Sequence, residues 1–316
     1  MKLTKEFKND RLVRISNTSE KSSLIYEKDQ IVVFHHDDSD GKLGGHLVYE
    51  ALALVDTKRF ICCNYSTKMP DHSAVKYGDV VFIVDYCIPM EQLATILLRA
   101  KLVIFMDHHK TALNMVDSDF GYFEKLSNDK KIIIDIDMNR CGAKITSDWL
   151  LSNLSVSWNT EVVDLIDKYD RWTKEDIRGD YLNQFMYNSA QSYVSSEYWS
   201  KLLHDEEFFK SACEIGKRFY EFNIDKNELI YSSFAKEVEF HGLKLITIEG
   251  FGNSMLFGKH VTEYDACCVF HRANNGSWQY SLYSDKQGAN MNEIAQMYGG
   301  GGHSGAAGMT VIDKLF

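Results

Sequence analysis

Short runs of apolar residues alternate with longer segments of helical period through the first half of the chain. The run QIVVF (30–34) reads as a strand. LGGHLVYEALALV (43–55) follows it, with Leu43, Leu47, Ala51 and Val55 at helical spacing. FICCNYS (60–66) is strand-like and DVVFIVDY (79–86) strongly so. MEQLATILLRA (90–100) reads as a helix, KLVIFMD (101–107) as a fourth strand and KKIIID (130–135) as a fifth. GAKITSDWLLSNL and TEVVDLIDKY are helical by period. Strand and helix in alternation predict an α/β domain, a five-stranded parallel sheet with helices on both faces. The near-continuous apolar strands agree, because a strand covered on both sides has no polar face.

The pattern changes after about residue 185. DEEFFKSACEIGKRFYEFNIDKNELIYSSF (205–234) is one long helical or linker region. EVEFHGLKLITIEG and DACCVFHRANNGSWQYSLYSD alternate with period two, and Asn275-Gly276 between two such runs predicts a tight hairpin turn. NMNEIAQMY reads as a helix and GGGGHSGAAG as a loop. No repeat is evident. The expected organisation is an α/β domain over 1–190, a linker or helical connection over 191–225, and a smaller mixed α/β domain over 226–316. A chain of 316 residues has the length for two cores.

Composition narrows the class. Hydrophobic residues make up 45% and charged residues 25%, an ordinary globular balance, and two prolines exclude a rigid proline-rich linker. The net charge of −10 argues against a coat on long duplex DNA, which needs basic surface. It leaves room for a small anionic substrate, since bound cations reverse the local sign. The seven cysteines are odd in number and form no Cys-x-x-Cys pair, so neither a disulfide framework nor a zinc knuckle follows. Cys62-Cys63 and Cys267-Cys268 read as buried small hydrophobes. MKLTKEFKNDRLVRIS has no apolar signal core, and no apolar run is long enough for a bilayer. The expectation is a cytoplasmic protein with no membrane partner.

Three apolar strands end in aspartates. The first runs into HHDDSDG, with His35, His36, Asp37, Asp38 and Asp40. The second runs into Asp85, and the third into Asp107, His108 and His109. In an open parallel sheet the carboxyl ends of the strands share one crevice. Two carboxylates ~4 Å apart repel by about 4 kcal/mol at an effective dielectric of ~20, so such a group needs raised pKa values or cations. Histidines among aspartates favour cations. Mixed carboxylate and imidazole ligands suit Mn2+, and a shared aspartate suits a two-metal site of the kind that cuts phosphoesters. One aspartate at a strand end would read as a cap or turn residue, as Asp135 and Asp137 do. Three such ends together favour metal. Aromatic residues in the C-terminal half read mostly as core, with base stacking open to some.

These motifs resemble those of a known family. His36-x-Asp38-x-Asp40-Gly41, Asp85 and Asp107-His108-His109 resemble the DHH phosphoesterase superfamily. GGGGHSGAAG (299–308) resembles the glycine-rich terminal motif of its DHHA1 subfamily. DHHKTA and the downstream YDRW are similar to the oligoribonuclease (nanoRNase) B-type branch. The resemblance implies a five-stranded parallel DHH domain, a linker and a smaller mixed DHHA1-type domain facing it across a cleft. It implies two divalent ions, Mn2+ foremost, with Mg2+ or Co2+ as alternatives. His36 and Asp38 would hold one ion, Asp40 and His108 the other, and Asp85 would bridge them. His35, adjacent, is an alternative to His36. The fourth-motif ligand lies among Asp164, Asp167 and Asp170, and the match to YDRW favours Asp170. Asp107 would orient the site, and His109 would contact the scissile phosphate.

Many DHHA1 proteins carry an arginine in the strand before the last helix, where it meets a substrate phosphate. This chain has Tyr283 there. Arg272 in the preceding strand is a candidate substitute, beside its reading as a surface arginine. Gly299 to Gly302 at positive φ would turn consecutive N–H groups inward as an anion nest, with His303 as a further donor. Gly300, Gly301, Gly302 and His303 are thus candidates for a phosphate cradle. Lys110 reads equally as a phosphate contact or a solvated side chain. The expected function is a metal-dependent phosphodiesterase or exonuclease that hydrolyses short RNA or DNA oligonucleotides to mononucleotides with a two-metal-activated water. Alternatives are a cyclic- or linear-dinucleotide phosphodiesterase, a 3′-phosphoadenosine 5′-phosphate phosphatase and, in another class, a catalytically silent nucleotide-binding protein. The expected partner is a short oligonucleotide or dinucleotide, and a homodimer is compatible with the sequence.

Overall fold

The computed structural model describes residues 12–15, 25, 28–65, 71–173, 175–188, 197–286 and 289–316. The chain divides into two compact units, Met1–Lys217 and Arg218–Phe316. The expected boundary at 190–191 lies outside the described residues.

In the first unit the order is β1 (Leu12–Ile15), β2 (Ile31–His36), α1 (Ser39–Ala51), β3 (Lys58–Cys63), β4 (Val80–Val84), α2 (Met90–Arg99) and β5 (Leu102–Asp107). There follow α3 (Lys110–Ser118), α4 (Phe120–Asn128), β6 (Ile132–Asp137), α5 (Gly142–Asn153), α6 (Thr160–Asp170), α7 (Arg178–Asn188) and α8 (Glu197–His204). Strands β2, β4, β5 and β6 bury both faces, as their unbroken apolar runs predict. Ile31, Val33, Phe82 and Ile104 pack with α1, α5 and α6 on one side. Val32, Phe34, Ile83 and Phe105 pack with α2, α3 and α4 on the other.

The sheet order is β1-β6-β5-β4-β2-β3. The five predicted strands are mutually parallel. A sixth, β1, joins β6 antiparallel and was not predicted, since its LVRI is short and carries an arginine. The chain leaves β2 for β3 on one side and returns to β4 on the other. The direction of winding thus reverses between β2 and β4, which opens a crevice outside their carboxyl ends.

The long helix α9 (Glu206–Phe234) contains the division at 217/218. The region read as helical or linker is therefore helix. The second unit has β7 (Lys236–Phe240), β8 (Leu243–Glu249), β9 (Ala266–Arg272), β10 (Trp278–Tyr283), α10 (Met291–Met297), β11 (Gly301–Gly302) and β12 (Ala306–Val311). Its sheet runs β11-β12-β10-β9-β8-β7, with only β8 and β9 parallel. The second unit therefore has the expected mixed sheet. The predicted turn is closed by the Gly276 N–H on the Ala273 carbonyl at 2.9 Å. Among the described residues no helix is long and apolar enough to cross a membrane.

The glycine run departs from expectation. Gly299 (φ 75) and Gly302 (φ 145) are at positive φ, whereas Gly300 and Gly301 are not. The Gly300 N–H donates to the Ala295 carbonyl at 2.9 Å and the Gly299 N–H to that of Gln296 at 3.1 Å. This is the Schellman pattern that closes a helix end, here α10. Both groups are thereby spent on the helix, and the anion nest does not form at them. The remaining pair, Gly301 and Gly302, forms β11 against β12. A methyl added at Gly300 would lie 2.1 Å from the Gly308 carbonyl oxygen, a backbone atom that cannot step aside. Gly300→Ala should therefore destabilise the C-terminal unit by about 1–3 kcal/mol. Urea unfolding followed by Trp278 fluorescence reads this, and an unchanged midpoint would contradict the packing.

Candidate metal centre

The carboxyl ends of β2, β4 and β5 bring the sequence-predicted residues of the first unit together. His36 is the last residue of β2. Asp38 caps α1, accepting the Gly41 N–H at 2.9 Å. Asp40 sits in the first turn of α1, and its two oxygens accept the N–H groups of Gly142 and Ala143, each at 2.7 Å. Those donors belong to the first turn of α5, where a helix presents unsatisfied N–H groups and positive potential. The Cys141 N–H in the same turn donates to Asp167 at 2.7 Å. Two aspartates from α1 and α6 thus share the N-terminus of α5.

Asp85 directly follows β4 at φ 55, a left-handed conformation that aspartate tolerates better than most residues. A Cβ at Gly142 would lie 2.4 Å from the Asp85 Cβ, so only glycine fits beside it. Asp107 ends β5. Its Oδ1 accepts the His108 N–H at 2.7 Å, the His109 N–H at 3.0 Å and His109 Nδ1 at 2.7 Å. Asp170 ends α6.

Around these anchors the functional atoms converge. His108 Nε2 lies 3.1 Å from Asp85 Oδ1, 3.4 Å from Asp170 Oδ2 and 3.7 Å from Asp40 Oδ2. His36 Nδ1 lies 2.7 Å from Asp38 Oδ2 and 3.7 Å from Asp85 Oδ2. The triples His36–Asp38–Asp85 and Asp40–Asp85–His108 each have ligand atoms within 4.8 Å of one another, and Asp85 belongs to both. Three carboxylate oxygens, on Asp85, Asp107 and Asp170, are buried with no hydrogen-bond partner among the described residues. Orphaned carboxyl oxygens beside imidazoles form a donor set that fits hard to borderline divalent cations.

The alternative residues lie in different surroundings. His35 is buried and its Nδ1 donates to the His36 carbonyl at 2.8 Å, away from the carboxylates. Asp164 pairs with Lys144 at 2.9 Å. Asp167 is held by Arg171 at 2.7 Å as well as by the Cys141 N–H. Of the three, Asp170 is the one at His108. Asp135 and Asp137 both pair with Arg140, at 3.1 and 2.7 Å. Lys110 opens α3 and is half-buried.

Electrostatics divide the centre into two kinds of group. Burial raises Asp85 well above the ordinary carboxylate range, and Asp40, Asp38 and Asp170 add to the shift. Burial and the neighbouring Asp170 raise Asp40 to about 6, and burial with Asp38 raises Asp170 to about 7. Burial would also raise Asp38 and Asp107, but contact with His36 and His109 outweighs it and draws both down. Burial opposes charge on His109, yet Asp107 lifts it to about 9. His108 moves the other way, lowered by burial and by charge on His109. The centre thus holds a neutral imidazole ringed by carboxylates that resist ionisation, beside two histidine–aspartate ion pairs.

Gly300, Gly301, Gly302, His303, Arg272 and Tyr283 belong to the second unit. The His303 N–H donates to the Ala306 carbonyl at 2.7 Å, closing the turn between β11 and β12. Arg272 is exposed, and its Nε lies 3.3 Å from the Gly276 carbonyl of its own hairpin. Tyr283 ends β10.

Two residues beside the predicted ligands escape a reading of the sequence. Gly142 carries no local signal, because its need for a bare Cα arises only where α5 meets β4. Tyr65 lies two residues beyond β3, and its ring is 5.6 Å from that of His36 and 6.2 Å from that of His109. Its one signal was an aromatic just past a strand's carboxyl end.

No family model matches the chain. The chain is similar to the oligoribonuclease NrnB of Bacillus subtilis, 24% identical over 254 residues, covering 75% of this chain and 61% of that protein. It thus spans less than two thirds of that relative's length. It is also similar to the uncharacterized protein R106 of Acanthamoeba polyphaga mimivirus, 23% identical over 319 residues, covering 90% of this chain and 68% of the other. Among solved structures, the DHH domain of a member of a ribosomal-protein family shares the fold. Its TM-score is 0.54 at 14% identity, covering 90% of this chain and 82% of that one.

Stability should report whether this cluster binds a cation. Asp40 and Asp170 have folded pKa values of about 6 and about 7, above the unfolded value of roughly 3.9. Folding therefore favours their protonated forms; this contribution is complete below pH ~4 and is lost as pH rises through 6 to 7. In chelator, the urea midpoint should drop as pH is raised from about 5 to about 8. Mn2+ at a hundredfold excess over its dissociation constant should restore about 2.7 kcal/mol at pH 8. Asp85→Asn should lose that restoration, whereas equal responses of both proteins to Mn2+ would exclude the centre.

Proposed function

We propose that the chain is a metal-dependent phosphodiesterase of the DHH/DHHA1 phosphoesterase type, cleaving short oligonucleotides to mononucleotides, a reading that its similarity to NrnB supports. The observation that carries this reading is the shared Asp85, set between two donor triples with one of its oxygens unpartnered among the described residues. His36 and Asp38 are assigned to one divalent ion, Asp40, His108 and Asp170 to a second, and Asp85 to both, with Mn2+ as the proposed metal. Divalent ions held by these residues would supply charge neutralisation for a phosphodiester and lower the pKa of a water nucleophile.

The remaining steps fall to the chain itself. His109 is a cation at neutral pH because Asp107 lifts it to about 9. Its Nδ1 is held by Asp107, so its ring is fixed for donation to a nonbridging phosphate oxygen. Asp107 acts through His109, gripping its ring and both backbone N–H groups after β5. In the second unit, His303 with Gly301 and Gly302 is assigned to a phosphate; Arg272 pairs with Trp278, at the opposite end of β10 from the Tyr283–Ala306 pair, and is left out of that cradle. Gly300 is assigned to closing α10, since its N–H is engaged there. The net charge of −10 supports a short substrate over a long duplex. Similarity to NrnB, an oligoribonuclease, supports the same class.

Purified protein with Mn2+ should hydrolyse a labelled dinucleotide or RNA and DNA oligomers in preference to cyclic dinucleotides and 3′-phosphoadenosine 5′-phosphate. Asp85→Ala should lower turnover by at least ~1000-fold, and His109→Gln, which removes one charged donor, by roughly 100- to 1000-fold. Wild-type protein that binds one of these ligands and cleaves none would identify a silent nucleotide-binding protein instead.

A further inference from the structure

Tyr65 combines three properties seldom found together at a surface. The residue is 48% exposed. Its ring is nonetheless fixed: it stacks on the fully buried ring of Tyr86, with centroids 4.6 Å apart and planes 21° apart. Its hydroxyl accepts the Cys87 N–H at 2.9 Å. A surface tyrosine ordinarily keeps its rotamer freedom and leaves its hydroxyl to water. Here both freedoms are given up, which costs side-chain entropy without fully burying the residue.

The place of the ring makes sense of that cost. In the register of β2 and β3, His36 pairs with Cys63, and Tyr65 follows two residues later. Tyr86 follows Asp85 directly. The stack therefore stands beside the metal centre, its rings within 6.3 Å of that of His36 and its outer ring 6.2 Å from that of His109. A neutral, immobile aromatic surface stacks nucleobases with little regard to their identity, because every base has a π-face.

We propose that Tyr65, braced by Tyr86, is the platform on which the nucleobase next to the scissile phosphate stacks. This rests on the oligonucleotide reading and names a base-binding subsite for it. A phosphate held at His109 leaves its own nucleoside within reach of the Tyr65 ring. The subsite selects for a base without selecting which base, and it distinguishes a nucleotide chain from other phosphodiesters.

The test compares a dinucleotide with its abasic counterpart, the same sugar–phosphate backbone without bases, using the full chain with Mn2+. Tyr65→Leu should raise KM for the dinucleotide by about 10- to 100-fold, with kcat little changed. On the abasic substrate its KM should equal that of the unaltered protein. Tyr65→Phe keeps the ring and loses the hydroxyl contact, so its KM should stay close to the unaltered value on both. Mn2+ affinity by calorimetry should be the same for all three proteins. Equal losses by Tyr65→Leu on both substrates, or a changed Mn2+ affinity, would show that Tyr65 only props the centre and would overturn the proposal. No loss on either substrate would overturn it equally. Inertness of the unaltered protein on both substrates would overturn the functional reading itself, and the subsite with it.

Discussion

The mutual repulsion of Asp40, Asp85 and Asp170 around His108 is the constraint on which the rest of the N-terminal unit depends. Three carboxylates converge on one buried imidazole, and each is pushed towards its neutral form. Such a cluster is costly to fold and strongly attractive to a cation. The scaffold holds it by anchoring each member to a different element. Asp40 is gripped by the first turn of α5, and the Asp85 N–H is held by the Met106 carbonyl near the end of β5. Asp170 rides on α6, which Asp167 ties to the same turn of α5.

The N-terminus of α5 is therefore more than a neighbour. Its Cys141, Gly142 and Ala143 N–H groups are all taken up by carboxylates of α1 and α6. Each of those bonds satisfies a donor that a helix start leaves open. The same bonds aim Asp40 at His108. Gly142 adds the steric condition, since any side chain there would strike Asp85. Helix capping and site assembly are one set of contacts, so a change at α5 acts on the centre without touching a ligand.

A second division runs between the two histidine–aspartate pairs and the carboxylate group. His36 with Asp38 and His109 with Asp107 keep charge locally balanced. The proposed chemistry uses this contrast: a cation at His109 facing substrate, and neutralisable carboxylates facing metal. The stacked pair Tyr65–Tyr86 borders the same corner with an apolar, uncharged surface. Phosphate, metal and base would then meet three chemically distinct walls.

Several features were legible in the amino-acid order alone. The unbroken apolar strands determined a parallel sheet covered on both faces, because their side chains alternate into two cores. The aspartates and histidines directly after those strands were expected at one edge of the sheet, because parallel strands share one carboxyl edge, and the structure brings them together there. The tertiary structure decided what spacing along the chain cannot. It separated Asp170 from Asp164 and Asp167, since three acidic residues on one helix differ only in what packs against them. It separated His36 from His35, since adjacent strand residues face opposite sides. It also reassigned Gly299 and Gly300 from an anion nest to the end of α10, since a glycine's φ is set by the bonds its neighbours offer. The position of Tyr65 beside His36 and His109 arises from the pairing of β2 with β3, a relation between distant segments that no local pattern records.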